Sequence, residues 1–337
     1  MKPLVSVCLI TYNHASHIAQ AIDSVLSQKT HFEFEILIGD DESSDGTSEI
    51  VLDYHNRNPK KIRLFPHRRE DVIYINGRAT GRWNFFDTLS HAKGKYVAFL
   101  EGDDYWIDPL KLQKQVDVME AHSEYAVCGH WVININESGK LLEEQTLTGV
   151  YCPEIFTMRH ALDSTPLHPN SWLFRRFDLF RHPNYSLLLK LPAADDPLML
   201  VLLGQGSGYC IKESMSAYRI HSGGTWSTKS KFRRAFEVLQ LQIAAMKLIS
   251  WSYTPRLLLI VSYGIIRLLL DILIESVRGR NFNTIRELTK LSRVQEIITP
   301  SSAVLWLAIT IVCLPLHLIL FMRRKMIKIT KCCKGAS

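Results

Sequence analysis

The chain has 337 residues, 47% hydrophobic and 22% charged, which excludes a disordered, collagenous or disulfide-scaffold protein and suits one large domain with an appendage, or two domains. The formal net charge of +7 belongs to the tail: from Glu275 to the end eleven Lys/Arg face three acids, so the preceding body is close to neutral. A tail this basic suits nucleic acid or an anionic membrane surface, and its apolar neighbours favour the membrane over nucleic acid.

In chain order, Leu4 to Ile10 is a short apolar run closed by Tyr12-Asn13-His14. It is too short for a signal-peptide core and reads as a buried strand, so the body is expected to remain in the cytoplasm. Residues 15–28 place Ile18, Ile22, Val25 and Leu26 at helical spacing. A second strand, Phe34 to Ile38, is broken by Gly39-Asp40-Asp41, and a helix follows from about Thr47 to Asn56, with Asp45 or Thr47 as its cap. Ile62 to Phe65 and Tyr96 to Leu100 are further strands. Strand–helix alternation predicts an α/β fold with a mainly parallel sheet, whose ligands bind at the carboxyl ends of the strands. The polar clusters fall at those ends. Seven cysteines without CxxC spacing (Cys8, Cys128, Cys152, Cys210, Cys313, Cys332 and Cys333) argue against a zinc site or disulfide framework and for a reducing compartment.

From about residue 229 the character changes, which divides the chain into a body of residues 1–228 and a helical region of residues 229–337. Residues 256–274 are apolar apart from one narrow polar stripe, the pattern of a helix lying in a membrane interface. Residues 303–322 carry no charge but contain Pro315, and basic clusters flank them on both sides. A bent, re-entrant or interfacial helix is preferred to a spanning one, with two buried core helices as the alternative.

Four constellations carry chemistry. Asp40, Asp41 and Asp45 end the second strand; they can cap the next helix, but a cap needs one acceptor, and the Asp pair can also receive a base N–H or a ribose hydroxyl. Glu101, Asp103 and Asp104 crowd three carboxylates around Gly102, an arrangement relieved by a shared Mg²⁺ or Mn²⁺. A solvated acidic turn is the other reading. Asp195-Asp196-Pro197 precedes an apolar helix, with Asp196 as a possible N-cap or as a general base. His221, beside Gly223 and Gly224, can be delivered to a metal or diphosphate. Trp106, Trp131 and Trp172 can stack on sugar rings or fill the core.

Taken together and in this order, these motifs resemble the family 2 glycosyltransferases of the GT-A fold, which use nucleotide-diphosphate sugars. The resemblance rests on Val5–Asn13, Ile38–Thr47, Gly94–Trp106, Asp195-Asp196 and Tyr218–His221, and covers residues 3–226. It implies a Rossmann-like mixed sheet flanked by helices and a sugar donor, expected to be a UDP-sugar. Tyr12, Asp40 and Asp41 would bind the nucleotide, together with Asp103 and an arginine, Arg82 ahead of Arg78. Glu101, Asp103, Asp104 and His221 would surround Mn²⁺ or Mg²⁺. Asp196 would be the catalytic base, with Asp195 in the place often held by Glu. The expected reaction is inverting transfer to a glycan or polyprenol-linked hydroxyl in surface polysaccharide or glycolipid assembly, at the cytoplasmic membrane face. Two alternatives are a nucleotidyltransferase, disfavoured because Thr11–His14 lacks glycine, and a non-catalytic nucleotide-sugar-binding membrane module.

Overall fold

The apolar runs of the first hundred residues form the centre of one sheet. In the computed structural model, which describes residues 2–248 except 76, 145–151, 164–166, 225–228 and 230, they become β1 (Val5–Thr11), α1 (Ile18–Leu26), β2 (Phe34–Asp40), α2 (Thr47–Arg57) and β3 (Ile62–Pro66). A small hairpin of β4 (Tyr74–Ile75) and β5 (Arg78–Ala79) leads to α3 (Arg82–Ser90) and β6 (Tyr96–Glu101). The chain continues through β7 (Tyr105–Trp106), α4 (Lys111–Ala121), β8 (Tyr125–Asn136), β9 (Leu141–Glu144), β10 (Ile155–Phe156), α5 (Met158–Asp163) and β11 (Leu173–Arg175). It then forms α6 (Tyr185–Leu188), α7 (Asp195–Leu203), β12 (Ser207–Ile220) and α8 (Lys231–Leu248).

The main sheet runs β10-β12-β8-β11-β6-β1-β2-β3, with β7 on β12 and β9 on β8. Strands β6, β1, β2 and β3 are mutually parallel, and β12 is parallel to β8. Antiparallel β11 joins the two parts, so the sheet is mixed. Buried on both faces, β1 and β2 read as continuous apolar runs, as parallel strands between helix layers do. Helix α1 turns Ile18, Ala21, Ile22 and Val25 onto this core, the face set by its helical spacing.

At the amino ends of the strands, Ser6 Oγ donates to Glu35 Oε1 at 2.7 Å and accepts from the backbone N–H groups of Lys93 and Gly94 at 3.0 and 2.8 Å. Arg63 reaches the other oxygen of Glu35 at 3.2 Å. This polar knot fastens β1, β2, β3 and the entry to β6 at the end opposite the acidic loops.

The chain divides into two compact units, Met1–Ser262 and Tyr263–Ser337, and all the described residues lie in the first. Helix α8, assigned by sequence to the appended region, packs on the body through Leu241 and Ala244, which close over Leu191. The apolar stretches 256–274 and 303–322 and the basic tail lie outside the described residues. Among the described residues no helix is long and apolar enough to cross a membrane.

Candidate active site

The carboxyl ends of β1, β2 and β6 open on one side of the sheet, and their loops are tied to one another. Asn13 adopts a left-handed conformation (φ 54°), which Asn tolerates better than most residues. Its N–H donates to Ser43 Oγ at 2.9 Å and its Oδ1 accepts from Ser44 N–H at 2.9 Å. His14 N–H donates to Thr47 Oγ1 at 2.8 Å and Ala15 N–H to Asp45 Oδ2 at 2.9 Å. Asp45 also accepts from the N–H of Thr47, the first residue of α2, at 3.1 Å, but the N-cap position itself is held by Gly46 in a left-handed conformation (φ 100°), not by Asp45 or Thr47 as expected. Asp40, expected at the nucleotide, spends both oxygens on this scaffold, accepting from Ser43 Oγ at 2.6 Å and from Ser48 Oγ. It shapes the loop.

Asp41 faces the other way. It is buried, Oδ1 has no partner, and burial pushes its carboxyl up to about 6 against the opposing pull of His67 and Arg69. Arg69 stands 4.0 Å from Asp41 Oδ2, and its guanidinium lies 4.1 Å from the centre of the Tyr12 ring, which is 40% exposed. Arg69 N–H is fixed by Glu42 Oε2 at 2.7 Å. An exposed aromatic face, a buried acceptor and a cation thus share one corner, suited to a flat heterocycle with polar edges. Arg69 is absent from the sequence expectations. Its one signal is its place just beyond the carboxyl end of the third strand.

The acidic turn after β6 splits into three different roles. Asp103 Oδ2 accepts from His221 Nε2 at 3.0 Å and lies 3.8 Å from His14 Nε2, while its buried Oδ1 has no partner. Burial works against its charge, yet the His221 bond and the His14 charge hold its carboxyl below the usual range. The same hydrogen bond raises His221. Glu101 is pushed upward by burial and by the charges of Asp103 and Asp195. Asp104, expected beside Asp103 on the metal, instead points into the protein, which corrects that assignment. Its Oδ1 accepts from Arg219 N–H at 2.9 Å and its Oδ2 from Asn170 Nδ2 at 2.8 Å. Gly102 between them has no room for a side chain, because a Cβ would lie 2.7 Å from Thr11 Oγ1 and 2.9 Å from His14 Nδ1.

Helix α7 begins at Asp195 after Ala194, so Asp195 and Asp196 occupy its first turn and Asp196 is not the N-cap. The Asp195 charge acts on Glu101, Arg82, His168 and Tyr218, which brings the third acidic motif to the second. Asp196 follows it, half-buried. Arg82, first residue of α3, is buried; Nη2 donates to the Leu191 carbonyl at 2.6 Å, while Nε and Nη1 have no partner. Burial lowers its guanidinium to about 10 against the pull of Asp195. Two unsatisfied cationic donors beside an acidic cluster describe an anion site. Arg78 is exposed on β5. Trp106 and Trp172 are core residues, contrary to the stacking role considered for them, and Trp131 is half-buried on β8.

The donor set fits a divalent cation. Asp103 is held ionised with one buried oxygen free, His221 stands beside it, and a cation would relieve repulsion with Glu101. Among the described residues no three His, Cys, Asp or Glu side chains are grouped to hold a metal by themselves. The ion would therefore complete its shell from diphosphate and water, as Mg²⁺ and Mn²⁺ commonly do.

The family model for Glycosyl transferase family 2 matches residues 6–182. Uncharacterized protein Rv1520 of Mycobacterium tuberculosis (strain ATCC 25618 / H37Rv) is 34% identical over 235 residues, 68% of this chain and 63% of that protein, so the chain spans less than two thirds of that relative. UDP-Glc:alpha-D-GlcNAc-diphosphoundecaprenol beta-1,3-glucosyltransferase WfgD of Escherichia coli is 33% identical over 181 residues, 51% of this chain and 64% of that protein. Among solved structures, mannosyltransferase PcManGT of Pyrobaculum calidifontis in complex with GDP-Man and Mn²⁺ superposes with a TM-score of 0.53 at 15% identity. The superposition covers 87% of this chain and 81% of that one, a likeness of fold.

Proposed function

Because the chain belongs to glycosyl transferase family 2, we propose that it is an inverting glycosyltransferase moving a sugar from a nucleotide-diphosphate sugar, with a UDP-sugar as the first candidate, to a hydroxyl of a glycan or lipid-linked acceptor. The observation that carries this reading is the meeting of half-buried Asp103, Glu101 and Asp195 with the buried, half-satisfied Arg82 beside the Tyr12–Asp41–Arg69 corner. Tyr12 offers its face to the base, Asp41 accepts a base N–H, and Arg69 donates to a neighbouring oxygen. Arg82 binds the diphosphate with its free Nε and Nη1 donors. Asp103 and His221 would hold Mn²⁺ or Mg²⁺, which when bound neutralises charge gathering on the leaving diphosphate.

The acceptor oxygen attacks the anomeric carbon from the face opposite the diphosphate. The bond to the diphosphate oxygen breaks with its electron pair, and the acceptor proton passes to a carboxylate in the first turn of α7. The motif assigns that role to Asp196, with Asp195 beside Arg82. Single displacement through an oxocarbenium-like state inverts the configuration, as in glycoside hydrolysis. The test is a donor screen for nucleotide release with Mn²⁺ and lipid-extract acceptors, using Asp103→Ala as control. Loss of general-base help predicts that Asp196→Asn lowers kcat about 10²–10⁴-fold with donor affinity unchanged. An active Asp196→Asn enzyme beside an inactive Asp195→Asn one would reverse the two roles.

Attachment to the cytoplasmic membrane face through residues 256–274 and 303–322 belongs to the same proposal. It is supported by their apolar pattern, by the basic tail at about 1 kcal/mol per Lys or Arg near an anionic surface, and by the undecaprenol-linked acceptor in the name of WfgD. Sedimentation with anionic vesicles but not neutral ones is expected, and no sedimentation with either would remove the attachment.

A further inference from the structure

The turn Pro169–Ser171 is capped at its start by a histidine that neither the motifs nor the mechanism above uses. His168 is buried, and its Nδ1 accepts the Asn170 N–H at 3.3 Å. A neutral imidazole that accepts at Nδ1 carries its proton on Nε2, and burial lowers this ring to about 4, so it stays neutral at physiological pH. No described residue accepts from Nε2.

The ring is also fixed in place. It lies against Tyr218, with centroids 4.4 Å apart at 44°. Ser171 Oγ and N–H both donate to the His168 carbonyl, at 2.7 and 3.0 Å. Asn170 Nδ2 donates to Asp104 Oδ2 at 2.8 Å and to the Ala217 carbonyl at 3.3 Å, and Asn170 Oδ1 accepts from Ser216 Oγ at 2.9 Å. Trp106 Nε1 donates to the Asn170 carbonyl at 3.1 Å. The aspartate turned away from the metal thus fixes the turn that presents His168. Asn170 ties the His168 turn to the acidic turn of Glu101, Asp103 and Asp104, and the Tyr218 ring ties it to the strand that leads to His221, so the imidazole stands beside the cluster expected to receive the sugar diphosphate.

We propose that His168 is a sugar-binding residue whose Nε2–H hydrogen-bonds a hydroxyl of the transferred sugar. The inference rests on the glycosyltransferase reading above. Its test is calorimetric binding to the full-length protein of UDP and of the UDP-sugar selected by the donor screen. His168→Asn keeps an acceptor for the Asn170 N–H and removes the Nε2 donor. Loss of one neutral hydrogen bond predicts UDP affinity within about twofold of wild type and a roughly five- to tenfold weaker UDP-sugar. His168→Gln, whose amide reaches further, is expected to recover most of that difference. Equal weakening of UDP and UDP-sugar would make His168 a support for the turn only, and no weakening of either would remove it from the site. If His168→Asn fails to fold, His168→Phe, which keeps the ring stack, is judged by the same two affinities. A wild-type protein that binds neither compound overturns the UDP-sugar reading proposed above, and this inference with it.

Discussion

Asp41 links burial to recognition. Its carboxyl is raised to about 6, chiefly by burial, and its free oxygen accepts from a base more strongly when ionised. Donor affinity is therefore expected to hold above pH 7 and to fall by up to about tenfold between pH 7 and 5. Asp41→Asn should bind weakly with no step in that window; calorimetry at several pH values separates this from histidine titration. The stability sign is opposite, because the folded state holds the proton more tightly: Asp41→Asn should be stabilising above pH 6, with the gain fading as pH falls toward 4. Arg82→Met removes a buried, half-satisfied cation, so its melting temperature should hold while nucleoside diphosphate affinity drops at least about tenfold. Equal affinity in Arg82→Met would take the diphosphate away from Arg82. At this scale the sequence discloses residue types better than directions. Asp103 and Asp104 are adjacent acids of one turn, and which faces the cleft is decided by Arg219 and Asn170, far along the chain. Arg69 was illegible beside Arg68 because charge alone does not distinguish the one that leans on Tyr12.

The elements were more legible than the contacts between them. Strands β1, β2, β3 and β6 lie within two residues of their apolar runs, and β1, β2 and β6, buried on both faces, need no alternation to betray them. The start of α7 was misjudged by two residues: Pro197 tolerates the first turn, but Asp195 and Asp196 already belong to it. The fastening of the β1 and β2 loops by Ser43, Ser44 and Asn13 was invisible, since serines and asparagines suit any turn. The knot around Ser6 and Glu35 gives this scale its own prediction. A Cβ on Gly94 would lie 2.6 Å from Ser6 N and 2.7 Å from Tyr96 O, both backbone atoms that cannot swing away. Gly94→Ala is expected to cost about 1–3 kcal/mol in thermal or urea unfolding. It should leave donor affinity nearly unchanged in the folded fraction, because the knot sits at the far end of the strands.

At the scale of the whole molecule, the sequence division at residue 228 follows a real change in composition but not the packing. Leu241 and Ala244 of α8 close over Leu191, and the Leu191 carbonyl receives the Arg82 guanidinium. Leu241→Ala should therefore cost about 2 kcal/mol through the cavity it leaves and also weaken diphosphate binding, although no atom of Leu241 belongs to the site. Melting and calorimetry on the same variant test both parts, and a destabilised protein with wild-type affinity would uncouple α8 from Arg82. Arg219 has a longer reach. From the end of β12 it donates to the Asp103 carbonyl at 2.9 Å, to the Glu137 carbonyl at 3.0 Å and to Gln20 on α1 at 2.8 Å. A chain leaving the ribosome carries its nucleotide corner within the first seventy residues, yet the Arg219 clamp on its acidic turn arrives only when some hundred and fifty more have emerged. Such distant closures are slow to form. The nascent polypeptide is thus expected to gain its catalytic centre late, when β12 slides in beside β8 and locks a turn made long before.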